Sequence, residues 1–87
     1  MKRSVVFSAT ALKQFLVLDQ RWQDAIEEKL DVLALNGPEA LGNQLKRLQG
    51  SPYSRLRVGK YRVIFSDSGV IVAVVEIGNR DRIYKEL

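Results

Sequence analysis

The chain has 87 residues, 46% hydrophobic and 28% charged, with 14 Lys and Arg against 10 Asp and Glu. This length allows a single domain, residues 1–87, with one hydrophobic core. The absence of cysteine and histidine excludes disulfides, thiolate metal sites, His-based triads and imidazole acid–base catalysis. With no membrane-length apolar run, no signal peptide pattern and no cofactor or metal motif, we expect a cytoplasmic protein without a cofactor, a metal or a membrane partner.

The first half of the chain predicts a strand followed by two helices. Residues 4–8 are β-branched and aromatic, which favours a strand, and Ser8 or Thr10 can cap a helix over residues 9–18. The Asn-Gly-Pro sequence at 36–38 ends a second helix, because Gly permits a left-handed cap and Pro cannot continue the turn. The apolar residues of this second helix recur at spacings of four, four and three: Trp22, Ile26, Leu30 and Leu33.

The pattern changes to a period of two in the second half. Residues 39–52 contain leucines that fit either a short helix or an ordered loop, so we expect mixed structure there. Apolar and basic residues then alternate in 55–58 and 61–65, and Gly59-Lys60 between them is a two-residue turn signal. These two segments predict a β-hairpin.

The last part of the chain predicts a central strand and a short terminal element. Residues 70–77 are almost continuously apolar, as expected of a strand covered on one side by helices. A turn is expected at 78–79, and a last strand or helical turn over 80–84. The predicted fold class is α+β: a small antiparallel sheet of four or five strands, mixed with the N-terminal strand, with an N-terminal α-helical hairpin packed on one face.

Cations gather on one face of the predicted hairpin. With Gly59-Lys60 as the turn, Arg57 opposes Arg62 and points away from the core, and Arg55 lies on the same face two residues along. Like charges directly opposite each other are unfavourable, but a bound phosphate would turn the pair into a clamp, because each guanidinium can donate two parallel hydrogen bonds. The alternative is a solvated outer face whose arginines serve solubility.

The C-terminal segment adds a phenol to these cations. Arg80 and Tyr84 share a face whether the segment is a strand or a helical turn, and Arg82 joins them if it is extended. Tyr84 could stack on a base or move a proton at the scissile linkage, and the alternative is a half-buried strand tyrosine. Lys60 borders the clamp, and Tyr53 is either a base-stacking platform or a simple loop aromatic. Trp22 and Tyr61 are both expected in the core.

The order of these elements, with LKRLQGSPY, RLRVGKYRVIF, VIVAVVEIG and NRDRIY, resembles the RelE/ParE superfamily of bacterial toxins. The closing arginines and tyrosine are similar to the RelE branch, whose members cut messenger RNA in the ribosomal A site. The resemblance implies a toxin of a type II toxin–antitoxin system and a metal-independent attack by the ribose 2′-OH. Its implied partners are an acidic or amphipathic cognate antitoxin, with a toxin–antitoxin heterotetramer possible, and the 70S ribosome with mRNA and 16S rRNA contacts.

The resemblance also assigns roles to individual residues. Arg62 matches the arginine that contacts the scissile phosphate, Arg80 a candidate transition-state stabiliser, and Tyr84 the tyrosine that orients the substrate or acts as a base. Arg55 matches one of two basic residues on the preceding strand, and Tyr53 replaces the other, so the general acid or base stays open. Arg57, Lys60 and Arg82 complete the predicted RNA-binding set. The alternatives within the fold are a ParE-like poison of DNA gyrase and an inactive member that binds its antitoxin or nucleic acid.

Overall fold

The computed structural model describes residues 2–79, and the structural statements that follow concern these residues. Strand β1 spans Ser4–Phe7, helix α1 spans Ala9–Leu16 and helix α2 spans Gln20–Asn36. A 3-10 segment, Pro38–Gln44, leads into strands β2 (Leu45–Arg47), β3 (Ser54–Val58), β4 (Tyr61–Asp67) and β5 (Ile71–Asn79). The predicted terminal element at 80–84 lies outside the described residues.

The five strands form one mixed sheet in the order β1-β5-β4-β3-β2. Strand β1 pairs with β5 in parallel, and the other neighbours are antiparallel. The two helices and the 3-10 segment connect β1, at one edge of the sheet, to β2 at the other edge. The predicted α+β class, with a sheet mixed through its N-terminal strand, is confirmed.

Both helices pack on the same face of the sheet. Helix α1 begins at Ser8, whose Oγ accepts a hydrogen bond of 3.0 Å from the Ala11 amide, and this settles the open choice of cap in favour of Ser8. Helix α2 ends at Gly37, which has a φ of 88°. The helices and strands share one core of buried side chains: Ala11, Phe15, Ile26, Leu30, Leu33, Leu41, Leu56, Val58, Val63, Phe65, Val72, Val74 and Ile77.

The β3–β4 hairpin has the register that the sequence predicts. Leu56 pairs with Val63 on the core side, and Arg57 pairs with Arg62 on the other side. Gly59 has a φ of 59°, so the turn places its first residue in the left-handed region that glycine adopts without strain.

Two details of the sheet differ from the sequence prediction. The mixed region contains a three-residue strand, β2, whose partner is β3. The turn expected at 78–79 is wrong, because β5 continues through Asn79 and Gly78 pairs with Arg62.

An irregularity in the β4–β5 ladder lies beside this longer strand. Val63 pairs with Ile77, Ile64 with Glu76, and Phe65 with Val74, so Val75 is an extra residue on β5. The extra residue lets Val74 and Ile77 both face the core although three positions separate them.

None of the helices in residues 2–79 is long and apolar enough to cross a bilayer.

Candidate functional site: the outer face of the sheet

The face of the sheet opposite the helices carries two transverse rows of side chains, and we call this surface the outer face. One row consists of Arg57, Arg62 and Gly78, each paired with the next across β3, β4 and β5. The other row consists of Lys46, Arg55, Ile64 and Glu76, across β2, β3, β4 and β5. Since paired strands lie about 4.8 Å apart, each row places its basic side chains within one or two strand spacings of each other.

The three hairpin arginines differ in their exposure. Arg57 is exposed and Arg55 is half-buried, whereas Arg62 is only 4% exposed. The Nε atoms of Arg55 and Arg62 are both buried, and Arg62 Nη1 donates a hydrogen bond of 3.4 Å to the Tyr61 carbonyl oxygen. The predicted shared face is therefore confirmed, and Arg57 is the member of the pair that an approaching anion meets first.

Gly78 completes the row that contains the arginine pair. Because glycine has no side chain, the position beside Arg62 on β5 adds no bulk to the outer face. Arg57 on β3, Arg62 on β4 and Gly78 on β5 thus form a strip that has two arginines side by side and no side chain at the β5 position. The exposed Arg57 guanidinium on this strip has the planar fork that suits bidentate hydrogen bonds to an oxyanion.

A carboxylate lies at the far end of the second row. Glu76 is separated from Arg55 by Ile64, which corresponds to about 10 Å across two strand spacings. Gln14 of α1 donates through Nε2 to Glu76 Oε1 at 3.2 Å, and its Oε1 accepts from the Ile77 amide at 2.6 Å. Gln14 thereby occupies the edge of β5 beyond the end of β1 and holds Glu76 there.

The end of the outer face near β1 is apolar, in contrast to the basic residues on β2, β3 and β4. Val6 is 47% exposed and Ile71 is 44% exposed, and both lie on this face with Ala73. The outer face therefore has a basic end on β2, β3 and β4 and an apolar end on β1 and β5.

Tyr53 and Lys60 lie at opposite ends of β3. Tyr53 is half-buried just before the strand, where its amide donates to Ser51 Oγ at 3.0 Å and its carbonyl accepts from the Leu48 amide at 3.0 Å. Lys60 is exposed in the β3–β4 turn. Both border the basic end of the outer face, and their predicted roles in RNA binding stay predictions.

The β3–β4 turn brings together Trp22 and Tyr61, two residues that the sequence pattern predicts to lie in the core. Tyr61 does point to the helical side, but its ring packs edge-on against Trp22 with the centroids 5.2 Å apart. Trp22 is half-buried and lies outside the central core cluster. The sequence feature that could have indicated this location is the position of Trp22 as the first member of the apolar series of α2. A residue at the end of a helix can extend past the core.

Three predicted site residues, Arg80, Arg82 and Tyr84, lie outside the described residues, so their assignments stay predictions. Within residues 2–79, no group of three His, Cys, Asp or Glu side chains is placed to hold a metal ion. The chemistry that the described part of the outer face offers is electrostatic, through Arg55, Arg57 and Arg62.

Comparison with known proteins places this geometry in a family context. The family model described as the ParE toxin of the type II toxin–antitoxin system parDE matches residues 5–84. No curated protein sequence matches the chain.

Several solved structures share the fold. The RelE–RelB complex of Pyrococcus horikoshii OT3 is similar with a TM-score of 0.79 and 22% identity, covering 94% of this chain and 99% of that one. The intact E. coli RelBE complex has a TM-score of 0.65 and 28% identity, with 88% and 95% covered. YafQ of E. coli BL21(DE3) has a TM-score of 0.71 and 15% identity, with 95% and 99% covered.

Proposed function

Because the chain belongs to the ParE toxin family, within the RelE/ParE superfamily of type II toxin–antitoxin toxins, we propose that it is a ribosome-dependent endoribonuclease of the RelE-like branch. It cuts mRNA in the A site and so inhibits translation. The observation that carries this proposal is the pairing of Arg57 with Arg62 on the outer face, with Arg55 on the neighbouring row. Like charges held in register on a sheet become favourable when an oxyanion lies between them.

The proposed reaction is an internal phosphoryl transfer. The ribose 2′-oxygen attacks the adjacent phosphorus in line and loses its proton, while the 5′-oxygen of the next nucleotide leaves and gains a proton. The products are a 2′,3′-cyclic phosphate and a free 5′-hydroxyl, so neither water nor a redox partner is consumed. DNA lacks the 2′-oxygen and is not cut by this route.

The arginines stabilise the charge that develops on the phosphorane oxygens. Arg57 receives the phosphate and Arg62 contacts its oxygens at the transition state, where fixed donors contribute most. Arg80 would add a third guanidinium and Tyr84 would move a proton or orient the substrate. Arg55, Lys60, Arg82 and Tyr53 would bind the flanking RNA.

Dependence on the ribosome follows from the weak proton chemistry of the chain. Without histidine, no side chain has an unperturbed pKa near neutrality for efficient proton transfer. Prior orientation of the 2′-OH and the phosphorus then has to supply much of the rate enhancement. A ribosome that holds mRNA in the A site, with 16S rRNA around it, supplies that orientation.

We propose a cognate antitoxin as the protein partner, in keeping with the RelB partners of the archaeal and E. coli relatives. The outer face suits an acidic, amphipathic segment, since its basic end would attract carboxylates and its apolar end offers Val6 and Ile71. A segment bound there would cover Arg57 and inhibit the toxin directly. A heterotetramer of two toxins and two antitoxins remains our prediction for the assembly.

A second candidate function is poisoning of DNA gyrase. The observation that favours it is the family model itself, whose description names the ParE toxin. The two candidates differ in chemistry, because a gyrase poison binds its target and breaks no RNA bond.

Cleavage of a short mRNA on programmed ribosomes tests the leading proposal. We expect the parent protein to cut in the A site, and Arg62→Ala to lower the rate by about 10²–10³-fold, as is typical for removal of one oxyanion donor. Arg62→Lys keeps a positive charge and most of the stem but loses the planar fork, so we expect little recovery. Lys13→Ala on the exposed side of α1 is the matched control for loss of one charge and should cut like the parent.

Two outcomes would overturn this assignment. If Arg62→Ala, shown to be folded by circular dichroism, cut as fast as Lys13→Ala, the outer face would not be the site. If the parent cut no mRNA but trapped gyrase on DNA in a supercoiling assay, the second candidate would replace the first.

A further inference from the structure

The β3–β4 turn and the start of α2 form a compact group of two aromatic rings and two cations, and we call this group the turn cluster. Its members are Arg21, Trp22, Lys60 and Tyr61. Arg21 Cζ lies 5.1 Å from the Trp22 ring centroid, and Lys60 Nζ lies 5.8 Å from the same centroid. Lys60 Nζ is also 5.5 Å from the Tyr61 ring centroid. Two cations from separate elements thus share one indole ring.

Trp22 fixes the turn in place. A Cβ built on Gly59 would lie 2.4 Å from Cζ3 and 2.5 Å from Cη2 of Trp22, so the indole ring rests directly on the glycine. The same ring packs edge-on against Tyr61 at an interplanar angle of 70°. The turn is therefore held against α2 by ring contacts that only a glycine at position 59 permits.

The arrangement brings like charges together at the surface. Arg21 and Lys60 are both exposed, and neither forms an ion pair with a carboxylate in residues 2–79. Cation–π contacts at exposed sites contribute only about 0.5–1 kcal/mol each, and repulsion between two cations that share a ring acts against them. The rings nevertheless orient both charges, which lowers the conformational entropy lost when an anion binds.

The turn cluster adjoins the basic end of the outer face. Lys60 is separated from the Arg57–Arg62 pair by a single residue pair, Val58 and Tyr61. One such step along a strand is about 3.4 Å, so a sugar–phosphate strand on the outer face reaches the turn within one or two nucleotides.

We infer that the turn cluster is a second contact for single-stranded RNA, in which Arg21 and Lys60 bind backbone phosphate and Trp22 acts as the positioning residue that holds them. The cluster extends the RNA path from the outer face around the hairpin tip to α2. The inference rests on the proposed function in taking RNA as the polyanion. Aromatic rings between cations suit a single strand, because phosphates meet the charges and a splayed base can meet a ring edge or face.

The salt dependence of binding measures the phosphate contacts. The ligand is the 70S ribosome programmed with a short mRNA that carries 2′-O-methyl groups and so cannot be cut. Each phosphate contact to a single strand contributes about 0.7 to the slope of log K against log salt concentration. We expect Arg21→Ala and Lys60→Ala each to reduce the slope by about 0.7 and the double variant by about 1.4. Lys13→Ala, which removes the same charge from α1, should keep the parent slope.

Substitutions of Trp22 separate positioning from simple stability. Trp22→Leu should weaken binding about as much as Lys60→Ala, while Trp22→Phe, which retains an aromatic ring, should recover much of the affinity. Thermal unfolding of each variant shows whether affinity and stability move together. Equal binding by folded Trp22→Leu and Trp22→Phe would overturn the positioning role.

A second arm of the experiment keeps the inference separate from the proposed function. Trp22 is the only tryptophan in the chain, so its fluorescence reports on the cluster alone. Titration with a free, 2′-O-methylated single-stranded RNA should change the Trp22 emission, with the same loss of slope in the double variant measured by RNA anisotropy. If free RNA gives both of these results while the parent protein does not bind programmed ribosomes, the proposed function fails and the role of the turn cluster in RNA binding is supported. If the double variant keeps the slope of Lys13→Ala on both ligands, the inference fails whatever the parent does.

Discussion

The two faces of the β3–β4 hairpin are made from alternate residues of the same two strands, yet the paired side chains on the two faces differ in chemistry. On the core face, Leu56 and Val63 pair and are fully buried among the helices. One residue along, Arg57 and Arg62 pair on the outer face. Burial of apolar area stabilises the first pair, whereas charge repulsion works against the second. In this hairpin, apolar burial on the core face stabilises the fold, whereas we propose that the arginines of the outer face bind an anion.

The largest effect on the core face is expected from Leu56→Ala. The side chain is fully buried, so the substitution removes apolar contacts and leaves a cavity in the centre of the cluster. We expect the free energy of unfolding to fall by about 2–5 kcal/mol in a urea titration. A loss below 1 kcal/mol would mean that the hairpin contributes little to the core.

A smaller loss is expected from Gly59→Ala at the end of the same hairpin. The new Cβ meets the Trp22 ring and the residue must keep a φ of 59°, so we expect a loss of roughly 1–3 kcal/mol by urea unfolding. Trp22→Leu removes the clash but leaves the backbone strain. The double variant should therefore be less destabilised than the sum of the two single variants, and strict additivity would contradict the contact.

Gln14→Leu tests the edge of the outer face. The substitution removes the hydrogen bonds to the Ile77 amide and to Glu76, and we expect a loss of about 1–2 kcal/mol in thermal or urea unfolding. Glu76→Gln is the comparison, since it keeps a hydrogen-bond acceptor for Gln14 but removes the charge. Equal stability of Gln14→Leu and the parent would show that water replaces Gln14 without loss.

The smallest and most diagnostic effect is expected from Arg57→Thr. Threonine favours strands and removes the like-charge pair, so the free energy of unfolding should stay the same or rise by about 0.2–1 kcal/mol. Any gain should shrink as salt screens the repulsion. Cleavage on programmed ribosomes should fall at the same time. A clear loss of stability would show that Arg57 supports the fold rather than a ligand.

Much of the hairpin was predictable because a two-residue turn fixes the register. Once Gly59-Lys60 is the turn, the strand period of two places Arg55, Arg57 and Arg62 on one face without further information. The burial of Arg62 was not predictable, because exposure depends on what lies over a face and not on strand parity.

Other features escaped prediction because tertiary contacts decide them. Strand β2 has only three residues, and its single leucine, Leu45, fits a helix as well as a strand until β3 is beside it. The extra residue at Val75 and the extension of β5 through Asn79 follow from pairing with β4, which overrides the turn preference of Gly78. The location of Trp22 on Gly59 depends on where α2 begins relative to the hairpin tip.

The parallel pairing of β1 with β5 has a consequence for biosynthesis. Ser4 pairs with Ile71 and Phe7 pairs with Val74, so the first strand cannot dock until the residues of β5 have been translated. Closing such a long loop is entropically unfavourable and slow relative to local helix formation. The helices and the β3–β4 hairpin, whose contacts are closer in sequence, can therefore form before β1 and β5 pair.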